Sequence, residues 1–207
     1  MEGKVNRNAF FPLEDYPKLK KLADAWQEIR QDLLSLNAPE LDIDRSEKSH
    51  AQVIAEINSH MENGGRLGWL YGWGMNGKNP DWLQYPVMVN DVKFPHLAGT
   101  MQNTVELLRD VNGIRICALS KMKPHSFLST HRHPELAELG ILQLHITLDA
   151  PAEHSYCYLN VDGEFRQHVN GAAFIFDGSL DHFAVNASGA DRTVLYIEFD
   201  RRLLCAG

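Results

Sequence analysis

The sequence has no run of about eighteen apolar residues, so no segment of it predicts a transmembrane helix. Cysteine is scarce: Cys117, Cys157 and Cys205 form no closely spaced pair. Their spacing argues against a disulfide framework or a cysteine zinc site and favours a reducing compartment. The first residues, MEGKVNRNAFFPLEDY, lack the charged and then apolar order of a secretory signal. We therefore expect a cytoplasmic protein.

Positive charge is also in short supply. The chain has 20 lysines and arginines against 27 acidic residues, which gives a net charge of -7, and it contains no basic cluster. A general nucleic-acid or membrane-surface binder would need a concentrated positive field, so we expect neither partner. A small-molecule or peptide substrate remains. Oligomeric state is not indicated by the sequence.

The pattern of apolar residues divides the chain into a helical and a β-rich part. Three- and four-residue spacings predict helices over 17–36, 46–61 and 95–109. From residue 114, short β-rich runs alternate with turn residues, as in an antiparallel sandwich or barrel. We predict one α+β domain over residues 1–207, with 1–110 as mainly helical support and 111–203 as the β core. The aromatic, glycine-rich stretch 68–86 either lines a substrate cleft or packs between helices and sheet.

Histidines carry the first chemical signal. Seven of the ten lie between residues 125 and 182. His131 and His133 are two apart, so on a strand they share a face, and Glu135 follows if the chain stays extended. Many non-haem Fe(II) sites use two histidines and a carboxylate in the form His-x-Asp/Glu plus a distant histidine. His133-x-Glu135 fits that form, with His182 as the distant ligand. We expect His125, His154 and His168 to be solvated.

The segment FIFDGSLDHFAVNASGADRTVLYIEFD, residues 174–200, resembles the C-terminal signature of the aspartyl/asparaginyl β-hydroxylase family. The signature residues, at fixed offsets, are Phe176, Asp177, Ser179, Asp181, His182 and Arg192. Upstream, LSKMKPHSFLSTHRHP resembles the family's first ligand segment. There a serine and two prolines stand at fixed offsets from the iron histidine. Ser120, Pro124 and Pro134 take those offsets if His131 is the ligand. The His-x-Glu motif taken alone favours His133 with Glu135.

The resemblance implies a double-stranded β-helix, the jelly-roll or cupin-like fold, with Fe(II) and 2-oxoglutarate. In that reading His131 and His182 ligate iron. Arg192 and Ser120 hold the distal carboxylate of 2-oxoglutarate, and His145 lies near its other carboxylate. An arginine fork can grip a carboxylate through two hydrogen bonds, and a hydroxyl adds a further donor. The implied activity is hydroxylation of a C–H bond in an aspartyl or asparaginyl residue, or in a small amino-acid- or peptide-like substrate.

Two departures from the family pattern leave alternatives open. Gln143 stands where the family often has an arginine. A longer loop before His145 lets His133 and Glu135 compete with His131, so the third metal position falls to His133, Glu135 or water. A three-histidine, cupin-like metalloenzyme that does not use 2-oxoglutarate is therefore one alternative. A non-catalytic jelly-roll binding module is the other.

Overall fold

The computed structural model describes residues 8–74, 77–97, 99–151 and 156–204, with the backbone alone at residues 203 and 204. Strands and helices are numbered in chain order. The strands are β1 Phe10–Phe11, β2 Glu40–Leu41, β3 Trp69–Gly74, β4 Gly77–Val89, β5 Val92–Lys93, β6 Ile114–Met122, β7 Ser126–His131, β8 Ile141–Asp149, β9 Cys157–Val161, β10 Glu164–Gln167, β11 Ala173–Phe176, β12 His182–Asn186 and β13 Arg192–Asp200. The helices are α1 Pro17–Asp24, α2 Trp26–Ser35, α3 His50–Glu62, α4 Gln102–Leu108, α5 Pro134–Leu139 and α6 Arg201–Leu204.

Two sheets form the β core. Within the described residues, the major sheet has nine strands in the order β1-β11-β8-β13-β6-β4-β3-β2, with β5 paired to β4. The minor sheet has the order β10-β9-β12-β7. Strands β3, β4 and β5 extend the major sheet, so this part of residues 1–110 belongs to the sheet and not to the helical support. Pairing of β3 with β4 and of β4 with β6 holds these strands extended.

Helices cover the outer face of the major sheet. The predicted helix over 17–36 is two helices, α1 and α2, that meet at Ala25. Leu19, Leu22 and Ile29 are buried in the large core that these helices share with the sheet. The helix predicted from residue 46 begins at His50 instead, because Ser49 and Gln52 form a capping box. Burial of these apolar helix faces makes the major sheet a rigid support for the residues on its opposite, inner face.

The inner face of the major sheet packs against the minor sheet. A small core of Met122 and Phe176 from the major sheet and Leu159, Val161 and Ala184 from the minor sheet joins the two layers. This architecture confirms the predicted α+β fold with a double-stranded β-helix core. The extent of the domain, residues 1–207, stays a prediction.

The structure also bears on the cysteines and on membranes. Cys117 and Cys157 are buried free thiols, and Cys205 lies outside the described residues. Burial raises the pKa of both described thiols, so neither offers a reactive thiolate. Among the described residues, no helix combines the length and apolar character that crossing a membrane requires.

Candidate active site

A cavity between the two sheets gathers most of the predicted site residues. Strand pairing builds its metal end, because His131 on β7 lies directly opposite His182 on β12. His133 follows β7, and its backbone N–H donates to the Gly178 carbonyl at 2.9 Å. One ligand atom from each of the three histidines lies within 4.8 Å of the others. The sequence thus brings together, from two strands and a turn, three nitrogens at the spacing of a metal site.

Hydrogen bonds orient two of these rings. His131 Nδ1 lies 2.7 Å from the Ser129 carbonyl oxygen, and His182 Nδ1 lies 2.8 Å from that of Leu180. A carbonyl only accepts, so each Nδ1 carries the proton and each Nε2 presents its lone pair. Burial, with the other histidines of the cluster, lowers the pKa of His182 to about 3 and lowers that of His131. Both rings are therefore neutral at pH 7, the form that binds a metal.

Glu135 does not join the cluster. It lies in the first turn of α5 with its side chain 54% exposed, and its carboxylate is 3.6 Å from His133 Nδ1. The turn at Pro134 starts a helix, which carries Glu135 away from the face that His131 and His133 share. Among the described residues the third member of the cluster is therefore His133, and Glu135 lies beside that histidine.

Two tryptophans connect the histidines to the rest of the cavity. The Trp73 ring packs edge-on against His131 and His133, with centroids 4.9 and 5.9 Å away. Trp82 packs against Trp73 at 5.2 Å, and its indole N–H donates to Ser120 Oγ at 2.9 Å. Both tryptophans line the cavity, as the cleft interpretation of residues 68–86 expected. Trp69, by contrast, is buried in the core on the helical side.

Arg192 is a buried cation with no counter-ion among the described residues. The residue is 2% exposed, its Nη2 donates to the Met122 sulfur, and its Nε has no hydrogen-bond partner in that part of the chain. Burial lowers its pKa to about 10, so the group stays charged at pH 7. Ser120 lines the same cavity from the neighbouring strand β6. A buried guanidinium of this kind is stabilised when an anion enters the cavity.

His145 lies beside this end of the cavity on β8. Its Nδ1 is 3.2 Å from Nε2 of His168, and its ring packs on Phe176 and Tyr196 at 4.9 and 5.7 Å. The prediction that His168 is solvated is wrong, because the residue is fully buried. Burial, with Arg192 nearby, holds the pKa of both histidines well below the usual range. His125 is exposed as expected, and His154 lies outside the described residues.

Gln143 belongs to a polar network on the same wall. Its amide donates to the Tyr196 hydroxyl at 2.7 Å, Tyr196 donates to Glu198, and Arg115 pairs with Glu198 at 2.6 Å. Burial and the Glu198 carboxylate raise the pKa of Tyr196 well above its usual value, so the phenol keeps its proton. Gln143, which stands where the family often has an arginine, thus places a neutral amide beside the Glu198 carboxylate. Arg115 already neutralises that carboxylate.

These features define a jelly-roll protein with a candidate three-histidine metal centre and a buried anion-seeking arginine in one cavity. Residues 23–202 match the family model described as aspartyl/asparaginyl beta-hydroxylase. The chain belongs to that family, and so to a family of hydroxylases.

One curated relative and two solved structures illustrate the similarity. An ornithine lipid ester-linked acyl 2-hydroxylase from Rhizobium tropici is 27% identical over 122 residues, or 59% of this chain and 42% of that protein. This chain therefore matches less than half of that relative's length. A 2OG-Fe(II) oxygenase family oxidoreductase from Burkholderia pseudomallei has a TM-score of 0.49 and 16% identity, covering 75% of this chain and 82% of that one. KdgF from Halomonas sp. has a TM-score of 0.39 and 15% identity, covering 60% and 83%.

Some residues of the cavity were missed by sequence reasoning. They are Arg45, Arg115, Gln84 and Glu198, which line it together with the predicted residues. Glu198 lies on the final strand two residues after Tyr196, so period-two alternation from Arg192 could have placed it on the cavity face. Arg45 lies in a loop where the sequence carries no periodic signal, and its position depends on contacts with β3 and β4.

Proposed function

We propose that this protein is an Fe(II)- and 2-oxoglutarate-dependent dioxygenase that hydroxylates an unactivated C–H bond. The observation that carries the proposal is the pairing, in one cavity, of the three-histidine cluster with Arg192, a buried cation without a counter-ion among the described residues. A metal alone would not require that cation. A co-substrate with a carboxylate at its far end gives the cation its partner.

The donor set fits both groups. His131, His182 and His133 would hold the iron through neutral imidazole nitrogens, which suit Fe(II) and leave coordination positions open. Arg192 and Ser120 would bind the distal carboxylate of 2-oxoglutarate, and His145 would lie near the carboxylate at the keto-acid end. When bound, the metal and co-substrate supply oxidative chemistry: 2-oxoglutarate and O2 become succinate and CO2 as one oxygen atom enters the substrate C–H bond.

The chain's own residues orient and shield this chemistry. The carbonyls of Ser129 and Leu180 fix the rings of His131 and His182, and Trp73 packs against the cluster. Trp82 holds the Ser120 hydroxyl in place. Since unactivated C–H bonds react only with strong oxidants, a dry and rigid site protects the protein and aims the reaction at one carbon.

The substrate that we propose is a small molecule or peptide, either an aspartyl or asparaginyl residue or a small amino-acid- or peptide-like compound. The curated relative's name refers to an ester-linked acyl group of a lipid. A lipid substrate is the less favoured reading here, because the cavity combines its apolar walls with several buried charged groups. A cytoplasmic location and the absence of nucleic-acid or membrane partners remain our expectations.

Two measurements test the proposal. Metal content after loading with Fe(II) under nitrogen should approach one equivalent in the wild type and fall strongly in His131→Ala and His182→Ala, while His125→Ala, an exposed histidine, retains it. A succinate-release screen against amino acids and peptides should give turnover that needs both Fe(II) and 2-oxoglutarate. Loss of metal in His133→Ala alone would mean that His131 is not the first ligand, and absence of 2-oxoglutarate turnover with the whole panel would refute the co-substrate.

A three-histidine metalloenzyme that does not use 2-oxoglutarate is the second candidate. The absence of a carboxylate from the cluster of described residues favours it. Substitution of Arg192 separates the two candidates, because Arg192→Met should strongly reduce 2-oxoglutarate turnover but leave a three-histidine enzyme of the second kind its metal and its co-substrate-independent oxidation.

A further inference from the structure

A third arginine, Arg45, reaches the same cavity from the loop between β2 and α3. Its Nε donates to the Tyr71 carbonyl at 2.7 Å, and its Nη1 donates to Gln84 Oε1. The guanidinium lies over the Trp82 ring, 5.4 Å from its centroid. Its Nη2 is shut off from bulk water and has no hydrogen-bond partner among the described residues. Three contacts therefore hold a cation in place and leave one of its nitrogens unsatisfied.

Among the described residues, the positive charges that line the cavity outnumber the negative charges paired with them. The acidic residues that line it are Glu135 and Glu198. Glu198 is paired with Arg115, and Glu135 lies exposed beside His133. With Arg192 assigned to the co-substrate, Arg45 is the cation left over. Burial of an unpaired guanidinium costs free energy, so an anionic group that enters beside Arg45 recovers part of that cost.

Arg45 and Arg192 line the same cavity but contact different groups: Arg45 bonds Gln84, whereas Arg192 contacts Met122. One face of Trp82 carries Arg45, while its indole N–H holds Ser120. Trp73 then links Trp82 to His131 through ring contacts of 5.2 and 4.9 Å. Because these ring contacts run from Arg45 to the metal cluster, we expect a molecule bound at Arg45 to extend along Trp73 toward the metal end.

We propose that Arg45 binds a single carboxylate of the substrate, and thus that the substrate is an amino-acid-like or peptide-like acid. The inference rests on the proposed function and names its substrate class. One unmatched cation with one unsatisfied nitrogen suits a singly charged carboxylate better than a doubly charged phosphate. His50, which lines the same part of the cavity, adds no second charge, because burial and Arg115 lower its pKa. The Gln84 oxygen is engaged by Arg45, so its NH2 group is the donor that remains for the ligand.

Binding of matched acid and amide probes tests the assignment without turnover. N-acetyl derivatives of aspartate, asparagine, leucine and lysine are titrated calorimetrically into the protein, each against its α-carboxamide. The wild type should bind at least one acid more tightly than its amide by about ten- to a hundred-fold, the range of a charge-assisted hydrogen bond. Arg45→Gln should remove that preference. Arg66→Gln, which deletes an exposed arginine outside the cavity, should keep it.

The outcomes separate this inference from the proposed function. A lost acid preference in Arg45→Gln supports the carboxylate site even where no 2-oxoglutarate turnover is found. If turnover occurs but Arg45→Gln retains the acid preference, or no acid in the panel binds the wild type, Arg45 is not a substrate carboxylate site. Weakened 2-oxoglutarate binding in Arg45→Gln, with the panel unaffected, would also overturn the inference, because Arg45 would then serve the co-substrate.

Discussion

Two arginines reach the cavity from adjacent strands of the major sheet, and they differ in what they meet. Arg115 on β6 forms an ion pair of 2.6 Å with Glu198 on β13. Arg192, at the start of β13, has no carboxylate within ion-pair distance among the described residues. One part of the cavity wall therefore has its charges paired, and the other has a cation that no described carboxylate pairs with.

This difference distinguishes a structural charge from a binding charge. An ion pair with good geometry offsets its own desolvation, so it keeps the wall in one arrangement. A buried cation with only a sulfur neighbour offsets little of it and lowers the stability of the empty protein. Such a residue persists where a ligand gives it a partner. The surroundings of Arg192 therefore support the proposed co-substrate site more directly than its place in a motif does.

The largest effect that we expect comes from Arg192→Met. Turnover of 2-oxoglutarate should fall by roughly 30- to several thousand-fold, because truncating one partner of a buried charged contact costs about 2–5 kcal/mol. Without 2-oxoglutarate the same variant should unfold at a temperature equal to or above the wild type, since methionine replaces an uncompensated charge. Succinate release and thermal unfolding measure the two effects.

Turnover and unfolding temperature together distinguish a binding role from a structural role of Arg192. Arg192→Met could lose turnover and also have an unfolding temperature well below that of the wild type. Arg192 would then be a structural charge, and its contrast with Arg115 would be wrong. Lysine is the conservative control: Arg192→Lys keeps the charge but not the planar fork, and should retain intermediate turnover.

Breaking the other pair should mainly reduce stability. Glu198→Ala leaves Arg115 largely buried and without its partner, and should lower the free energy of unfolding by about 2–3 kcal/mol, somewhat below the cost for a fully buried pair because Arg115 is partly exposed. The double variant Arg115→Met with Glu198→Ala should lose less than the sum of the single variants. Urea unfolding of the four proteins measures the coupling, and additive losses would show that the pair is not coupled.

The sequence predicts one side of this comparison well and the other poorly. His131, His182, Ser120 and Arg192 follow from residue types at fixed offsets, because each offset is set by a local strand or turn. The Glu198–Arg115 pair, the burial of His168 and the place of Arg45 depend on which strands and loops become neighbours. That pairing is set by tertiary packing between segments up to 83 residues apart, for which one sequence carries no local signal.

Acid should destabilise the Arg192 end of the cavity. Burial, with Arg192, holds the pKa of His145 and His168 well below 6.5, while in the unfolded chain both titrate near 6.5. The unfolded state therefore binds more protons below that pH, so their contribution to stability is complete above about pH 6.5 and declines as the pH falls through it. Urea unfolding at pH 7.5, 6 and 5 should show this decline.

Arg192 contributes part of that acid sensitivity, which sharpens the comparison. In Arg192→Met the decline between pH 7.5 and 5 should be smaller, because the cation that opposes protonation of His145 and His168 is gone. Arg115→Met should reduce the decline less, since Arg115 lowers the pKa of His50 but is not among the groups that lower the pKa of His145 or His168. Equal slopes in both variants would assign the effect to burial alone.

The smallest effect that we expect concerns Gly178, which lies next to the part of the cavity wall where Arg115 pairs with Glu198. A Cβ at this position would lie 2.1 Å from Gln143 Oε1, so Gly178→Ala has to displace the amide that bonds Tyr196. The obstacle is the end of a flexible side chain, so the loss of stability should be about 1 kcal/mol. Gly189→Ala is the matched control, because nothing lies within 4 Å of its Cβ position. In a Gln143→Ala background the cost of Gly178→Ala should vanish, and a cost that persisted would place the strain in the backbone of the turn that also holds His133.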